Sequence, residues 1–206
     1  MEIERHVYQD GLERLAMFVD FHNLEGSLRN EGIQADIIAL RNYLIEGRTL
    51  LEAFVYVGFN PNTQNGDHQF HRFLKMNGFL VKTKPAKIRP DGSLKCDFDI
   101  ELTIDVIEYV SLVKPGIVLL VTGDGDFAPL ATWLRQRGTR VEVASTPTSI
   151  SRDLRAAANG YINLCEAAEE IQRAGGEIAA QKEEVITDGN GNNQREADRD
   201  SLHGVG

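Results

Sequence analysis

Four aspartates in this sequence fall where an α/β fold would bring them together. Asp20 lies near the end of a continuous apolar run that begins at Leu15, and such a run is typical of a strand buried on both faces of a parallel sheet. Asp124 and Asp126 closely follow another apolar run, and Asp99 lies in the first turn of a predicted helix. Ligands of open parallel sheets bind beyond the carboxyl ends of the strands. The sequence therefore predicts that three separate segments deliver carboxylates to one edge.

Carboxylates that crowd together repel one another unless a cation lies between them. Oxygen-only ligands favour hard ions such as Mg²⁺ or Mn²⁺, and these ions activate water and neutralise charge that develops on a phosphate. The four aspartates are therefore candidate catalytic residues for phosphodiester hydrolysis.

Each carboxylate also has a structural interpretation, and both interpretations stay open. Asp124 and Asp126 could belong to a turn and the cap of the following helix, and Asp20 could cap a helix. Asp99 could merely complement a helix dipole. Asp105 follows Asp99 by six residues, about 9 Å along the helix axis. Asp105 would reach the site only through water or a second metal ion. Alternatively, it contacts a ligand residue without touching the metal, or it faces solvent.

One asparagine and one basic stretch are the candidates for contact with a substrate. Asn23 could hold a ligand or a scissile phosphate, or it could cap a short helix at 24–29. The stretch from Val81 to Lys95 leads directly into Asp99 and contains one acid, so it could rest on phosphates, with a solvated loop as the alternative. The candidate substrate-binding residues are Lys82, Lys84, Lys87, Arg89 and Lys95.

Strands alternate with helices along the chain, which predicts an α/β fold with a mostly parallel, doubly wound sheet and helices on both faces. The segment 82–95 is predicted to be irregular because it contains two prolines and an Asp-Gly turn pair. The predicted strands are 15–21, 50–59, 79–81, 117–122, 139–144 and 161–164. The predicted helices are 36–46, 67–76, 97–113, 127–137 and 149–158.

The overall composition excludes some classes of protein. The length of 206 residues suits one α/β domain, expected at 15–174, with an N-terminal extension at 1–14 and a disordered acidic tail at 175–206. A net charge of −9 argues against a broad basic face for duplex DNA. Two cysteines without a C-x-x-C pair argue against a thiolate zinc site. We expect no membrane span and a cytoplasmic location.

Three ordered motifs between about residues 15 and 164 carry a family likeness. Phe18 to Leu24, in which Asn23 follows Asp20 by three residues, resembles the opening strand motif of NYN-domain proteins. Lys95 to Asp105 resembles their helix motif, and Val121 to Leu130 resembles their Ser/Thr-Gly-Asp-x-Asp-Phe motif. The sequence looks closest to the LabA-like subgroup of bacteria. One departure is an asparagine at 159, where the family pattern leads us to expect an aspartate.

The resemblance implies a PIN-like, Rossmann-like three-layer fold and cleavage of single-stranded or structured RNA with Mg²⁺ or Mn²⁺. Carried over residue by residue, it implies Asp20, Asp99 and Asp124 as metal ligands, with Asp126 in support and Asn23 and Asp105 as further candidates. The alternative is a non-catalytic RNA-binding or regulatory domain that acts through protein partners, and a homodimer is one expected assembly. A phosphatase with an aspartyl nucleophile would need an Asp-x-Asp pair at 20–22, where position 22 is His.

Overall fold

The structure is a computed structural model that describes residues 13–62, 66–88 and 94–174. The chain divides into two compact units, residues 1–167 and 168–206, and the fold described below lies in the first. In the second unit, residues 168–174 are helical. Residues 1–12 of the predicted extension at 1–14, and the predicted tail at 175–206, lie outside the described residues.

Strands and helices alternate as the sequence pattern predicted. The strands are β1 Arg14–Asp20, β2 Thr49–Phe59, β3 Leu80–Pro85, β4 Lys87–Ile88, β5 Leu94–Lys95, β6 Ile117–Val121, β7 Arg140–Ser145 and β8 Gly160–Asn163. The helices are α1 Phe21–Asn30, α2 Ile37–Ile45, α3 Gly66–Met76, α4 Asp99–Val113, α5 Ala128–Arg135 and α6 Arg152–Ala157, and a 3-10 turn covers Gly125–Phe127. Across the described ranges, no helix combines the length and the apolar character that a bilayer crossing requires.

Six parallel strands form one sheet in the order β3-β2-β1-β6-β7-β8. The chain winds outward from β1 to β3 and then returns to the other side of β1, so the strand order reverses between β1 and β6. Their register pairs Val19 with Val121. The next residues, Asp20 and Thr122, therefore leave the sheet side by side at the topological switch point, where ligands of such sheets bind. The predicted doubly wound α/β fold is confirmed.

Alternate residues of the central strands supply two separate apolar layers. Phe18 of β1 faces the layer that contains Leu102 of α4 and Leu130 of α5, and its ring stacks on Phe54 at 4.7 Å between centroids. Met17, one residue earlier, lies among residues of α1 and α2 on the opposite face. Each fully buried leucine contributes about 2 kcal/mol of burial free energy. The two layers fix α1 and α4, whose first residues lie beside the switch point.

The segment predicted to be irregular contains more regular structure than the sequence indicated. β3 continues to Pro85, and β4 pairs with β5 in a short antiparallel ladder. Proline is tolerated at that point because β3 is an edge strand and Pro85 needs no amide donor to a neighbour. The Ala86 amide then donates to the Phe59 carbonyl at 2.8 Å, which extends the contact with β2. The expectation of an irregular 82–95 segment was therefore wrong for its two ends.

Candidate metal centre

Three carboxylates meet at the carboxyl edge of the sheet. Asp99, Asp124 and Asp126 each offer an oxygen, and these atoms lie within 4.8 Å of one another. Asp99 is the first residue of α4, whereas the other two follow β6. Asp99 and Asp124 are partly buried and Asp126 is exposed. Two segments that are distant in sequence therefore supply a group of oxygen ligands that solvent can reach.

Local hydrogen bonds hold the loop after β6 in place. The Asp124 carboxylate accepts from the Asp126 amide at 3.0 Å, and the Asp124 amide donates to the Thr122 hydroxyl at 3.2 Å. A side chain on Gly123 would collide with the Ser149 carbonyl oxygen and would come within 2.6 Å of Ser145 Oγ. The loop between β7 and α6 thus presses on Gly123, and only glycine fits between the two loops.

Asp20 lies beside this group at the end of β1. Its carboxylate accepts from the Asn23 amide at 3.1 Å, which makes Asp20, and not Asn23, the N-cap of α1. Burial raises the pKa of Asp20, the Asn23 amide and His22 lower it, and the neighbouring charge of Asp124 raises it again, with a net increase. Asp20 therefore caps α1 and also lies next to the acidic group.

Asn23 joins the two strand ends at the switch point. Its side-chain oxygen accepts from the Gly123 amide at 2.8 Å, across 100 residues of sequence. The hydrogen bond fixes the beginning of α1 to the loop that carries Asp124. Asn23 lies within α1, so of the two alternatives left open for it, the cap of a helix at 24–29 was wrong.

Asp99 has the most perturbed carboxyl group of the cluster. Burial first, and then the charges of Asp97, Asp124 and Asp20, raise its pKa to about 6. The Asp97 carboxylate accepts from the Asp99 amide at 3.1 Å, so Asp97 caps the first turn from outside the helix. Within the described residues, no ion pair reaches any of these aspartates. The cluster therefore has a charge that a bound cation would neutralise.

Asp105 lies outside this group of carboxylates. Its oxygens accept a hydrogen bond from the buried Tyr56 hydroxyl at 2.9 Å and form an ion pair with Lys82 at 3.1 Å. These contacts tie α4 to β2 and β3. The structure therefore gives Asp105 two protein partners of its own and does not bring it together with Asp99, Asp124 and Asp126.

The predicted substrate-binding residues have different surroundings. Lys84 forms an ion pair with Glu101 at 2.6 Å, and its ammonium group lies 4.7 Å from the centre of the Phe98 ring. Lys82 is paired with Asp105, as described above, and Lys87 is exposed on β4. Arg89 lies outside the described residues, and Lys95 belongs to β5. Two of the predicted phosphate contacts are thus already engaged with acids of α4.

Sequence reasoning missed several residues that shape the centre. Tyr56 lies within an apolar strand run, where nothing distinguishes it from a core aromatic. Gly58 packs against Cys96 and His22, and a side chain there would come within 2.9 Å of the Cys96 sulfur. The His22 Nε2 atom is buried without a hydrogen-bond partner in the described part of the chain. The glycine inside a β-rich run was the one available signal of a close approach.

The donor set fits a hard divalent cation. Asp99, Asp124 and Asp126 offer only oxygen, and the pKa of Asp99 is raised by burial and by repulsion from neighbouring carboxylates, a repulsion that Mg²⁺ or Mn²⁺ would relieve. Asp20 borders the same site. A soft thiolate-type site is not built here, because within the described residues the grouped ligands are all carboxylates.

The fold and the acidic edge together define the class of this protein. The chain belongs to the NYN domain family, within the PIN-like nuclease superfamily, and the family model matches residues 14–165. The predicted family resemblance is therefore confirmed. NYN domains act on RNA, and nucleases of this superfamily usually depend on divalent metal ions.

Among individual relatives, the chain is 32% identical over 160 residues to the low amplitude and bright protein LabA of Synechococcus elongatus. That alignment covers 73% of this chain and 83% of LabA. The crystal structure of a protein of unknown function from Vibrio parahaemolyticus has a TM-score of 0.61 to this chain at 29% sequence identity. The matched region covers 76% of this chain and 95% of the Vibrio protein, in agreement with the α/β fold.

Proposed function

We propose that this protein is a metal-dependent ribonuclease that hydrolyses phosphodiester bonds of RNA. One observation carries the proposal: Asp99, Asp124 and Asp126 converge at the switch point, beside Asp20, and no ion pair among the described residues neutralises them. Carboxylates that only stabilise a fold normally have cationic partners, because repulsion between neighbouring carboxylates raises the free energy of the folded state. Perturbed carboxyl groups in a cleft are typical of functional sites.

Asp20, Asp99 and Asp124 would hold Mg²⁺ or Mn²⁺, and Asp126, the exposed member, would extend the site toward the substrate. The bound ion would activate water and neutralise charge on the phosphate. In the hydrolysis, the water oxygen forms the new bond to phosphorus, the bond to the leaving ribose oxygen breaks, and that oxygen takes up a proton. Asn23 accepts a hydrogen bond from the Gly123 amide and so positions the beginning of α1, next to Asp20, against the loop that carries Asp124.

A cytoplasmic location is the companion proposal. Cys96 has a free thiol. Free cysteines accord with a reducing compartment.

Cleavage of a fluorescently labelled single-stranded RNA by the purified protein tests the proposed activity. We expect cleavage with Mn²⁺ or Mg²⁺, none with excess chelator, and a loss of roughly a hundredfold or more for Asp124→Asn, about 2.7 kcal/mol of transition-state stabilisation. Asp153→Asn is the matched control, because Asp153 is an exposed aspartate of α6 outside the carboxylate group. Equal, metal-independent cleavage by both variants would identify a contaminating nuclease, and RNA binding without cleavage would favour the regulatory alternative.

A further inference from the structure

A cavity begins at Phe21, the residue that follows Asp20. Its volume is about 430 Å³, and it lies between α1, the loop at 31–36 and the beginning of α2. Its walls are mainly apolar and include Phe21, Leu24, Leu28, Ile33 and Leu40. Cavities of this size enclose small organic ligands, and apolar walls with a few polar groups are their usual composition.

The cavity and the acidic edge share the junction of β1 and α1. Phe21 follows Asp20 directly, and its ring lies 5.1 Å from the ring of Phe70 of α3. Phe21, Leu24 and Leu28 lie on one face of α1, so the cavity runs from the carboxyl edge along that helix. Because Phe21 directly follows Asp20, the N-cap of α1, this end of the cavity lies at the carboxyl edge of the sheet.

Three polar side chains lie at the cavity walls. Glu25 and Arg29 form an ion pair at 3.0 Å, with 48% and 71% of their side chains exposed, so either can turn toward a ligand at small cost. Gln34 is exposed and adds an amide that can both donate and accept hydrogen bonds. A cavity with one aromatic side chain and these polar groups suits a planar ring that has hydrogen-bonding groups on its edge.

We propose that this cavity is a base-binding subsite that accepts one unstacked nucleobase of the RNA strand held at the carboxylates. The inference rests on the proposed ribonuclease function. Proteins that recognise single-stranded RNA splay bases out, place them against aromatic side chains and read their edges by hydrogen bonds. Phe21 would provide the ring face, and Glu25, Arg29 and Gln34 would read the base edge. The subsite would give the enzyme a preference for the base at one fixed position from the cut.

The proposal is tested by filling the cavity from its loop. Ala35 lines the cavity and is partly exposed, so Ala35→Trp places a large ring there. Ala156→Trp is the matched control, since Ala156 is an exposed alanine of α6 and lines no part of this cavity. The substrates are one fluorescent RNA and a set of copies in which a single nucleotide at successive positions is abasic.

With the native protein, we expect the abasic sugar to slow cleavage about tenfold or more at one position only, in line with the contribution of one stacked base. In Ala35→Trp, RNA with every base present should be cleaved as slowly as the abasic copy, and the dependence on that base should disappear. The Ala156→Trp control should behave as the native protein does. An unchanged dependence in Ala35→Trp would overturn the subsite, while cleavage itself would still stand.

Equilibrium binding of the same RNAs separates this proposal from the proposed activity. If the native protein cleaves nothing but binds complete RNA more tightly than one abasic copy, and Ala35→Trp loses that difference, the subsite stands and the ribonuclease assignment fails. If Ala35→Trp is misfolded by circular dichroism, Gln34→Ala and Arg29→Ala replace it, because both side chains are exposed. They should change which base is preferred at that position, and an unchanged preference in both would overturn the subsite.

Discussion

Glu142 of β7 and the aspartates of the candidate metal centre have opposite electrostatic surroundings. Glu142 of β7 is buried, yet it accepts from Arg48 at 2.7 Å and from Arg140 at 2.9 Å. Burial raises its pKa, but the two arginines more than offset this, and the net pKa lies below its ordinary value of 4.5. For Asp20 and Asp99, burial and neighbouring aspartates act in the same direction and raise the pKa.

The difference separates an acid that stabilises the fold from acids that the fold holds under repulsion. Arg48 also donates to the Leu44 and Ile45 carbonyls at the end of α2, so Glu142 belongs to a network that joins β7 to α2. The acidic edge has no comparable network within the described residues. Its carboxylates are oriented by amides, which fix positions without neutralising charge. Such an arrangement is useful only if a cation completes it.

The largest effect on stability is expected at Glu142. Glu142→Gln keeps the shape of the side chain but leaves Arg48, whose side chain is 14% exposed, with only the exposed and more distant Glu46, at 3.9 Å, as an acidic partner. Removal of one partner of a buried ion pair costs about 3 kcal/mol. Urea unfolding at pH 7 measures the loss, with the exposed Glu108→Gln of α4 as the control. Because the folded-state pKa is lowered, the contribution of Glu142 is present at neutral pH and is lost as the pH falls through that pKa.

A smaller loss is expected at Tyr56, which partners another acid. Tyr56→Phe removes the hydrogen bond to Asp105 and leaves that carboxylate with Lys82 alone. A hydrogen bond to a charged group contributes about 1.5–3 kcal/mol, and the partial exposure of Asp105 favours the lower figure. Tyr109→Phe is the control, because the Tyr109 hydroxyl makes no hydrogen bond within the described residues. Equal stability of the two variants would show that Asp105 gains nothing from Tyr56.

Most of the fold was predictable from the sequence because hydrophobic periodicity reports local structure and parallel packing directly. The apolar runs at Leu15 and Ile117 identified the two central strands, and the aspartates after them pointed to the switch point. The hydrogen-bond partners were not predictable, because they depend on distances between segments that no local pattern records. Lys84 was expected to face a phosphate, and only the packing of β3 against α4 shows Glu101 beside it.

The same limit applies to the residues around the site. The spacing of Asp20 and Asn23 predicted that both belong to the site. It did not predict that Asp20 caps α1 or that Asn23 accepts a hydrogen bond from Gly123. Asp105 matched a motif position, yet six residues, about 9 Å of helical rise, separate it from Asp99. That rise brings Asp105 to Tyr56 and Lys82 instead. Motif spacing along a helix therefore predicted proximity better for the first turn than for the second.

Removal of a charge from the acidic edge should stabilise the folded protein, whereas the substitutions at Glu142 and Tyr56 should destabilise it. Asp99→Asn should stabilise the metal-free protein above pH 6 by about 1 kcal/mol after solvent screening, because it removes a repelled carboxylate. The raised folded-state pKa means that this gain shrinks as the pH falls from about 6 toward 3.8 and is absent below it. Thermal unfolding at both ends of that range, with chelator present, measures the difference.

Divalent ions then sharpen the contrast. Mg²⁺ or Mn²⁺ should raise the melting temperature of the native protein, since a ligand that binds only the folded state stabilises it. The increase should be smaller for Asp99→Asn and unchanged for Glu142→Gln, whose acid lies in the arginine network. A full metal response in Asp99→Asn would remove this residue from the proposed ligand set.

The smallest effect is expected at two lysines of the basic segment, Lys84 and Lys87. Lys84 is paired with Glu101 and lies over Phe98, whereas Lys87 has no ion pair among the described residues. Lys84→Gln should therefore cost at most about 1 kcal/mol of stability, as partly exposed ion pairs do, and change RNA affinity little. Lys87→Gln should leave stability unchanged but reduce the slope of log affinity against log salt concentration by about one, as loss of one phosphate contact does. RNA binding titrated over a range of salt concentrations gives both slopes. If Lys84→Gln lowers the slope instead, RNA displaces Glu101 from Lys84, and the ion pair is a resting arrangement of a substrate-binding residue.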